Sequence, residues 1–309
     1  MDRLQAMKVF TRVAEIGSFS RAADSLVMPR GSATIIIQQL EAHLNVRLLQ
    51  RSTRRLSLTT DGAAYYEHCV RILSDIEAVE NSLQVDTQQP RGRLRLDLPA
   101  LLGRVLIMPA LFDFHARYPE IELVVSMSDK PIDLIQDGVD CVIRIAQLQD
   151  STLAARRLGE HIMITVASPD YLARHGVPQS VHDMESHTAV NYSWGRTGRT
   201  MDMTFNVDGE TEVVKTAGKI AVNDAEFCML GSLRGYGVAQ VPLFIAAPHL
   251  YSGALVEVLP QHKPISFPIS AVYPHNRHLS PTLRIFVDWT IDLFKDNDVL
   301  YGRASAMAV

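Results

Sequence analysis

Apolar residues at Leu4, Met7, Phe10, Val13 and Ala14 recur at helical spacing, so residues 2–16 read as an amphipathic helix closed by Gly17. Ser20 is placed to cap a second helix whose Ala22, Ala23 and Leu26 face inward. A third helix begins near Pro29, a residue tolerated in a first turn. Its inward positions are Ala33, Ile37 and Leu40, and its outward positions are Arg30, Ser32, Thr34, Ile35 and Gln38. A short helix, a turn and a second helix, with Ala22 and Ala23 small enough for a close crossing, predict a helix-turn-helix.

Apolar residues then flank a Ser-Thr-Arg-Arg tip within 47–59, which predicts two short strands joined by a basic turn, a wing. Thr60 can cap a long helix in which Cys69, Ile72, Ile76, Val79 and Leu83 are spaced by three and four residues. That seam suits pairing with a second helix and is short for an autonomous coiled coil; packing on its own wing is the other reading. Gln88-Gln89-Pro90-Arg91-Gly92 ends the helix as a hinge.

From residue 93 the period changes. Strands are predicted at 93–98, 121–126 and 139–145, with helices at 103–118 and 131–137. A second set follows: strand 162–167, helix 169–175, a hairpin turning at Asp208-Gly209, helix 225–234, strand 237–241 and helix 242–250. Strand 269–273 and helix 281–294 return to the first set. Alternating strands and helices imply an α/β sheet architecture.

Composition adds a charge asymmetry. The net charge is −4, but residues 1–60 hold nine Lys and Arg against four acids, a balance of +5. Residues 61–89 hold one base against six acids, and 90–309 hold 20 against 24. A basic N-terminal module joined to an acidic remainder fits a polyanion binder with a separate second function. At 47% apolar and 21% charged residues, the 309-residue chain is of ordinary globular composition, enough for two or three domains. No apolar stretch reaches bilayer length, and none precedes a cleavage site, so the expected location is the cytoplasm. Cys69, Cys141 and Cys228 are odd in number and far apart, consistent with free thiols.

No catalytic constellation emerges. There is no His-Glu-x-x-His and no Gly-x-Ser-x-Gly elbow, and Gly231–Gly237 matches neither a phosphate loop nor a dinucleotide fingerprint. His275 and His278 sit in a Pro-bounded loop and read as surface residues. The chain is therefore expected to be no enzyme and to need no metal or cofactor. Cys228 is the one cysteine with a case for redox sensing.

Phe19-Ser-Arg-Ala-Ala-Asp-Ser-Leu26, Gln39-Leu-Glu-Ala-His-Leu44, Val46-Arg-Leu-Leu-Gln-Arg-Ser-Thr-Arg54 and Leu58-Thr-Thr-Asp-Gly62 closely resemble the LysR-type transcriptional regulators. Ala167-Ser-Pro-Asp-Tyr-Leu172, Val222-Asn-Asp224, Ala247-Pro-His-Leu250, Leu255-Val-Glu-Val-Leu259 and the 271–281 stretch resemble a branch often encoded beside divergent target genes. The resemblance covers essentially the whole chain. It implies an α/β protein with a winged helix-turn-helix (1–60), a dimerising linker helix (61–89) and a two-lobed effector domain like a periplasmic binding protein (91–300). Lobe one would comprise about 91–161 and 268–300, and lobe two about 162–267.

The implied partners are double-stranded DNA carrying an inverted repeat, a small-molecule effector, a second copy of the chain (tetramers being implied by the family), and RNA polymerase. Arg30, Ser32, Thr34, Ile35 and Gln38 would face bases; Ile35 could meet a thymine methyl, or else pack under its helix. Arg51, Arg54 and Arg55 would meet phosphates or a minor groove. Ile72, Ile76, Val79 and Leu83 would form the dimer seam.

Strand ends and helix starts converging from two lobes nominate Pro99, Ala100, Leu101, Ser128, Arg144 and Ile145 from one lobe. From the other they nominate Asn191, Tyr192, Trp194, Asn223, Asp224, Val241 and Pro242. Free helix N-termini suggest an anionic effector, while the apolar Pro99–Leu102 stretch points to a more apolar one. Arg144 is either an anion anchor or a structural partner of Asp140 or Asp150. Trp194 is either a stacking platform or lobe packing.

Overall fold

The computed structural model describes residues 1–51, 56–83, 90–129, 132–134, 137–147, 153–194, 199–275 and 279–303. The first helix, α1 (Arg3–Ile16), starts where Asp2 Oδ1 accepts the Gln5 N–H at 3.1 Å and stops at Gly17 with φ +65°. The second, α2 (Phe19–Ser25), is capped by Ser18, whose hydroxyl accepts from Arg21, and not by Ser20. Ser20 lies inside the first turn, two residues past the cap position.

Helix α3 (Arg30–Leu44) follows Pro29 and ends at Asn45 in the left-handed region. Ala22, Ala23, Ala33 and Ile37 are fully buried where α2 crosses α3. Two short antiparallel strands, β1 (Leu49–Arg51) and β2 (Leu56–Leu58), pair Leu49 with Leu58. The long helix α4 (Thr60–Leu83) is capped by Thr59, not Thr60: the Thr59 hydroxyl oxygen accepts the Gly62 N–H at 2.8 Å.

The remaining elements run β3 (Gly92–Leu98), α5 (Ala100–Leu102), a π turn (Gly103–Ile107), α6 (Met108–Arg117), β4 (Ile121–Met127), β5 (Cys141–Ile145) and β6 (Leu153–His161). Then come β7 (Met163–Ala167), α7 (Pro169–His175), a 3-10 turn (His182–Ser186), β8 (Thr188–Trp194), β9 (Arg199–Thr200), β10 (Met203–Val207), β11 (Glu210–Val214) and β12 (Ala217–Val222). The chain closes with α8 (Ala225–Leu233), β13 (Ala239–Pro242), α9 (Leu243–Tyr251), β14 (Val256–Glu257), β15 (Phe267–Pro274) and α10 (Pro281–Phe294). Among the described residues of 131–137 there is no helix, only a turn closed by the Asp137 N–H on Asp133 O. The strand predicted from 139 begins at Cys141.

One five-stranded sheet has the order β4-β3-β5-β15-β6, with β3 parallel to β4 and β5, and β15 antiparallel to β5 and β6. It forms the first lobe. The second lobe is built on β12-β8-β9 and β13-β7-β14, joined through a bridge between Ala189 and Val238. The β10–β11 hairpin turns at Asp208 and Gly209, both at positive φ, as its sequence requires. An apolar cluster runs without a break from Leu98 and Leu102 of the first lobe to Cys228 and Met229 of the second.

Candidate functional site

In the N-terminal module, Ala33, Ile37 and Leu40 of α3 are at most 1% exposed and pack against Val9, Phe10 and Val13. The opposite face carries Gly31, Ser32, Ile35, Gln38 and Gln39. Ile35 is 55% exposed, so it does not pack under its helix. Thr34 is half-buried. Arg30 begins the helix.

Glu41, near the other end of α3, holds the wing: its Oε1 accepts the N–H groups of Leu48 at 2.8 Å and Leu49 at 3.0 Å. That role had no signal beyond its place in the Leu-Glu motif. Arg51 ends the first wing strand, while Arg54 and Arg55 lie outside the described residues.

Helix α4 is fastened to this module at its start. The Thr59 hydroxyl donates to Arg47 O at 2.7 Å, and the Thr59 N–H donates to Leu48 O. Gly62 is pressed against the same carbonyl; a Cβ there would stand 1.9 Å from Leu48 O. Tyr65 and Tyr66 lean on Phe10, and Tyr66 Oη donates to Glu15 at 3.3 Å.

Cys69, predicted as the first residue of the pairing seam, is fully buried in the module's own core. The next turn releases the helix: Ile72 is 38% exposed and Ile76 half-buried. The side chains of Val79 and Leu83 lie outside the described residues.

Between the lobes, Pro99 precedes α5 and is buried, while Ala100 and Leu101 are half-buried. The Ala100 N–H donates to Asp129 Oδ1 at 3.1 Å, and the Ser128 N–H donates to Leu98 O. Across from them, Asp224 Oδ1 caps α8 by accepting the N–H groups of Glu226 at 2.8 Å and Phe227 at 3.1 Å. Arg104 of the π turn pairs with Glu226, tying one lobe to the other.

Tyr192 lies in this acidic setting. Burial first, then Asp129, Cys228 and Asp224, push its hydroxyl up to about 12. The starts of α5 and α8, predicted to welcome an anion, are therefore already met by the protein's own carboxylates.

The other nominated residues divide. Arg144 Nη1 is 3.4 Å from Asp97 Oδ1, and Asp97 also accepts from Ser126 Oγ at 2.8 Å. Asp140 instead accepts the Arg95 N–H, so the predicted Arg144–Asp140 pairing gives way to Asp97; Asp150 lies outside the described residues. Arg144 Nη2 is buried and has no hydrogen-bond partner among the described residues. Alternation along β5 puts Arg144 on the face opposite Ile143 and Ile145, which belong to the apolar cluster.

Val241 is fully buried in that core, and Pro242 stands at the residue before α9 with no side-chain capping bond. Asn191 is buried and accepts from Thr216, and Asn223 is exposed. The backbone of Trp194 pairs with Arg199; its side chain lies outside the described residues. Cys228 is 1% exposed, and burial raises its thiol to about 12, which opposes the thiolate a redox sensor needs. Among the described residues no group of three or more His, Cys, Asp or Glu could hold a metal, and no helix is long and apolar enough to cross a membrane.

A winged helix-turn-helix mounted on a long helix, followed by two α/β lobes, is the build of a bacterial transcription regulator that answers to a ligand. Residues 4–63 match the model for the bacterial regulatory helix-turn-helix protein, lysR family, and residues 87–295 match the LysR substrate binding domain. The chain belongs to the LysR family of transcriptional regulators, whose members bind DNA through the helix-turn-helix, bind small-molecule effectors and form oligomers.

It is 38% identical over 296 residues to the uncharacterized regulator YhjC of Escherichia coli, covering 96% of this chain and 99% of that one. It is also 38% identical over 309 residues to a transcriptional repressor of Pseudomonas aeruginosa, covering 100% of this chain and 98% of that one. The structure of CrgA from Neisseria meningitidis, 31% identical, superposes with a TM-score of 0.59 over 94% of this chain and 99% of its own.

Proposed function

We propose that the chain is an oligomeric regulator that holds an inverted-repeat operator and takes a small effector between its lobes. One observation carries the reading: a basic helix-turn-helix whose α3 exposes Ile35, Gln38 and Gln39 is joined to the LysR ligand-binding fold. In this reading Arg30, Ser32, Thr34, Ile35 and Gln38 meet base edges, and Arg51, Arg54 and Arg55 meet phosphates or a minor groove. Residues 1–60 bind DNA, 61–89 pair through Ile72, Ile76, Val79 and Leu83, and 91–300 sense the effector. Assembly of dimers into a tetramer, contact with RNA polymerase and a cytoplasmic location belong to the same reading. Catalysis, metals and cofactors do not.

The effector is assigned to the space around Pro99, Ala100, Leu101, Ser128, Tyr192, Trp194 and Asn223. Asp129 and Asp224 approach Tyr192 from the two lobes, and Arg104 is already neutralised by Glu226. A carboxylate entering there would meet like charges, so a small apolar molecule, neutral or bearing an amine, is favoured over an acid.

The test is a footprint on the DNA upstream of the protein's own gene and its divergent neighbour, at two salt concentrations. An interrupted palindrome, protected more weakly at the higher salt, is the expected result. Absence of protection there, together with no enrichment from random DNA, would refute the reading. The unbroken apolar cluster between the lobes favours a second reading, a repressor with a vestigial cleft. That reading predicts a footprint which no small molecule shifts.

A further inference from the structure

The exposed face of α3 has a composition that selects a kind of base pair. At 100° per residue, the direction opposite the buried Ala33, Ile37 and Leu40 falls on Ile35. Around it on the same face stand Gly31, Ser32, Gln38, Gln39 and Ala42. None of these carries a charge, and none is large and apolar.

Ile35 therefore has no neighbour with which to cover itself and remains 55% exposed in the middle of the helix that enters the groove. Gly31 removes the side chain one turn earlier, with nothing within 4 Å of where a Cβ would be, so the helix backbone can come close to a groove wall at that point. The face offers no arginine or lysine at its centre, so the commonest guanine contact, a bidentate cation on O6 and N7, is missing there. What remains are amides that match adenine N6 and N7 and an aliphatic group that matches the C5-methyl of thymine.

We infer that α3 reads A·T pairs at the centre of each half-site, with Ile35 covering a thymine methyl and Gln38 or Gln39 pairing with adenine. This rests on the DNA-reading role of α3 given above. The favoured occupant of the exposed Ile35 is DNA because the flanking positions are polar and the module is the basic part of the chain, nine Lys and Arg against four acids in residues 1–60.

The test uses the full-length protein and duplexes selected by it from a random-sequence pool. Each thymine of the selected site is replaced singly by uracil, which deletes only the C5-methyl. Burying one methyl group corresponds to about a fourfold change in affinity, so wild type should lose about fourfold at one thymine per half-site. Ile35→Ala, a change at an exposed position, should bind the thymine duplex about 3–10-fold more weakly and be indifferent to uracil at that position. At other positions uracil should affect both proteins alike.

Wild-type indifference to every uracil, an equal uracil loss in Ile35→Ala, or a selected half-site centred on G·C pairs would overturn the inference while leaving the regulator reading intact. A pool yielding no enriched sequence would overturn both.

Discussion

Replacing Gly62 with alanine would put a methyl carbon 1.9 Å from Leu48 O and 2.8 Å from Leu48 C, and both are backbone atoms that cannot rotate aside. Relief requires α4 to back away from the segment leading into the wing. That movement stretches the Thr59 N–H bond to Leu48 O and the Gly62 N–H bond to the Thr59 cap. Overpacking costs about 1–3 kcal/mol and a lost cap about 0.5–2, so the change should cost about 2–5 kcal/mol. A helix-turn-helix module of about 60 residues holds about 3–9 kcal/mol, so much of its stability would go.

The assay is urea unfolding followed by two signals. Trp194 and Trp289 both lie outside the module, so tryptophan fluorescence follows the lobes, while far-UV circular dichroism also follows α1–α4. With a urea dependence of about 1–3 kcal/mol per molar, the dichroism transition of the module should fall by about 1–2 M while the fluorescence transition stays put. Gly31→Ala is the contrast, because nothing lies within 4 Å of its Cβ position and its φ is ordinary; it should not destabilise. Coincident, unshifted transitions in Gly62→Ala would refute the close-approach argument.

Other substitutions probe the same structure. Val27, in the turn of the helix-turn-helix, is β-branched, 95% exposed and held at φ +53°, a conformation costing about 1–2 kcal/mol. Val27→Asn should therefore stabilise the module by about 1 kcal/mol and raise its melting temperature by a few degrees; a lower melting temperature would count against strain at this turn. Glu41→Ala removes the acceptor of two wing N–H groups and should cost about 2–4 kcal/mol with weakened binding to all DNA sequences, whereas Glu41→Gln keeps an acceptor and should cost less. Equal losses in the two variants would dismiss that role.

His161, at the passage from β6 to β7, stacks edge-on against Phe244, and burial lowers its pKa from 6.5 to about 4. The folded protein thus binds fewer protons here than the unfolded chain between those values. Its contribution is full above pH 6.5 and is lost as pH falls towards 4, by on the order of 3 kcal/mol in all. His161→Phe should flatten the fall in stability across that window; an unchanged pH profile would rule His161 out.

What the sequence made legible follows from how local each signal is. The ends of α7 and α10 were readable because Ser168 and Ser280 cap them just before Pro169 and Pro281. The Asp208-Gly209 turn was readable because both residues tolerate positive φ. Strands β6, β8 and β12 were not assigned as elements. The successive exposed Ala155, Arg156 and Arg157 of β6 give no alternation, and β12 is held at Gly218 by a backbone approach to Ala189 that no pattern announces.

Around Tyr192 of the candidate cleft, the charge was not legible. Asp129 reaches back 29 residues to the Ala100 N–H, and Arg104 reaches 122 residues ahead to Glu226. Pairings at such separation leave no mark in a local pattern, so helix starts that looked free turned out to be occupied.

The same reasoning shortens the proposed pairing seam. An apolar spacing along α4 cannot distinguish a residue that faces a second helix from one that faces its own wing. Tyr65, Tyr66 and Cys69 go to the module's own core because Thr59 and Gly62 fix the rotation of the helix against Leu48. With that rotation set, the positions left for a partner begin at Ile72. From there to Leu83 a helix rises only about 18 Å, under two heptads. Such a seam can set the register of two chains but is too short to hold them alone, because isolated helices of that length are marginal in water. Helix α4 also touches β3 and α10, so part of its surface is already committed to the first lobe. The first lobe therefore touches the same helix that Thr59 and Gly62 fasten to the helix-turn-helix module.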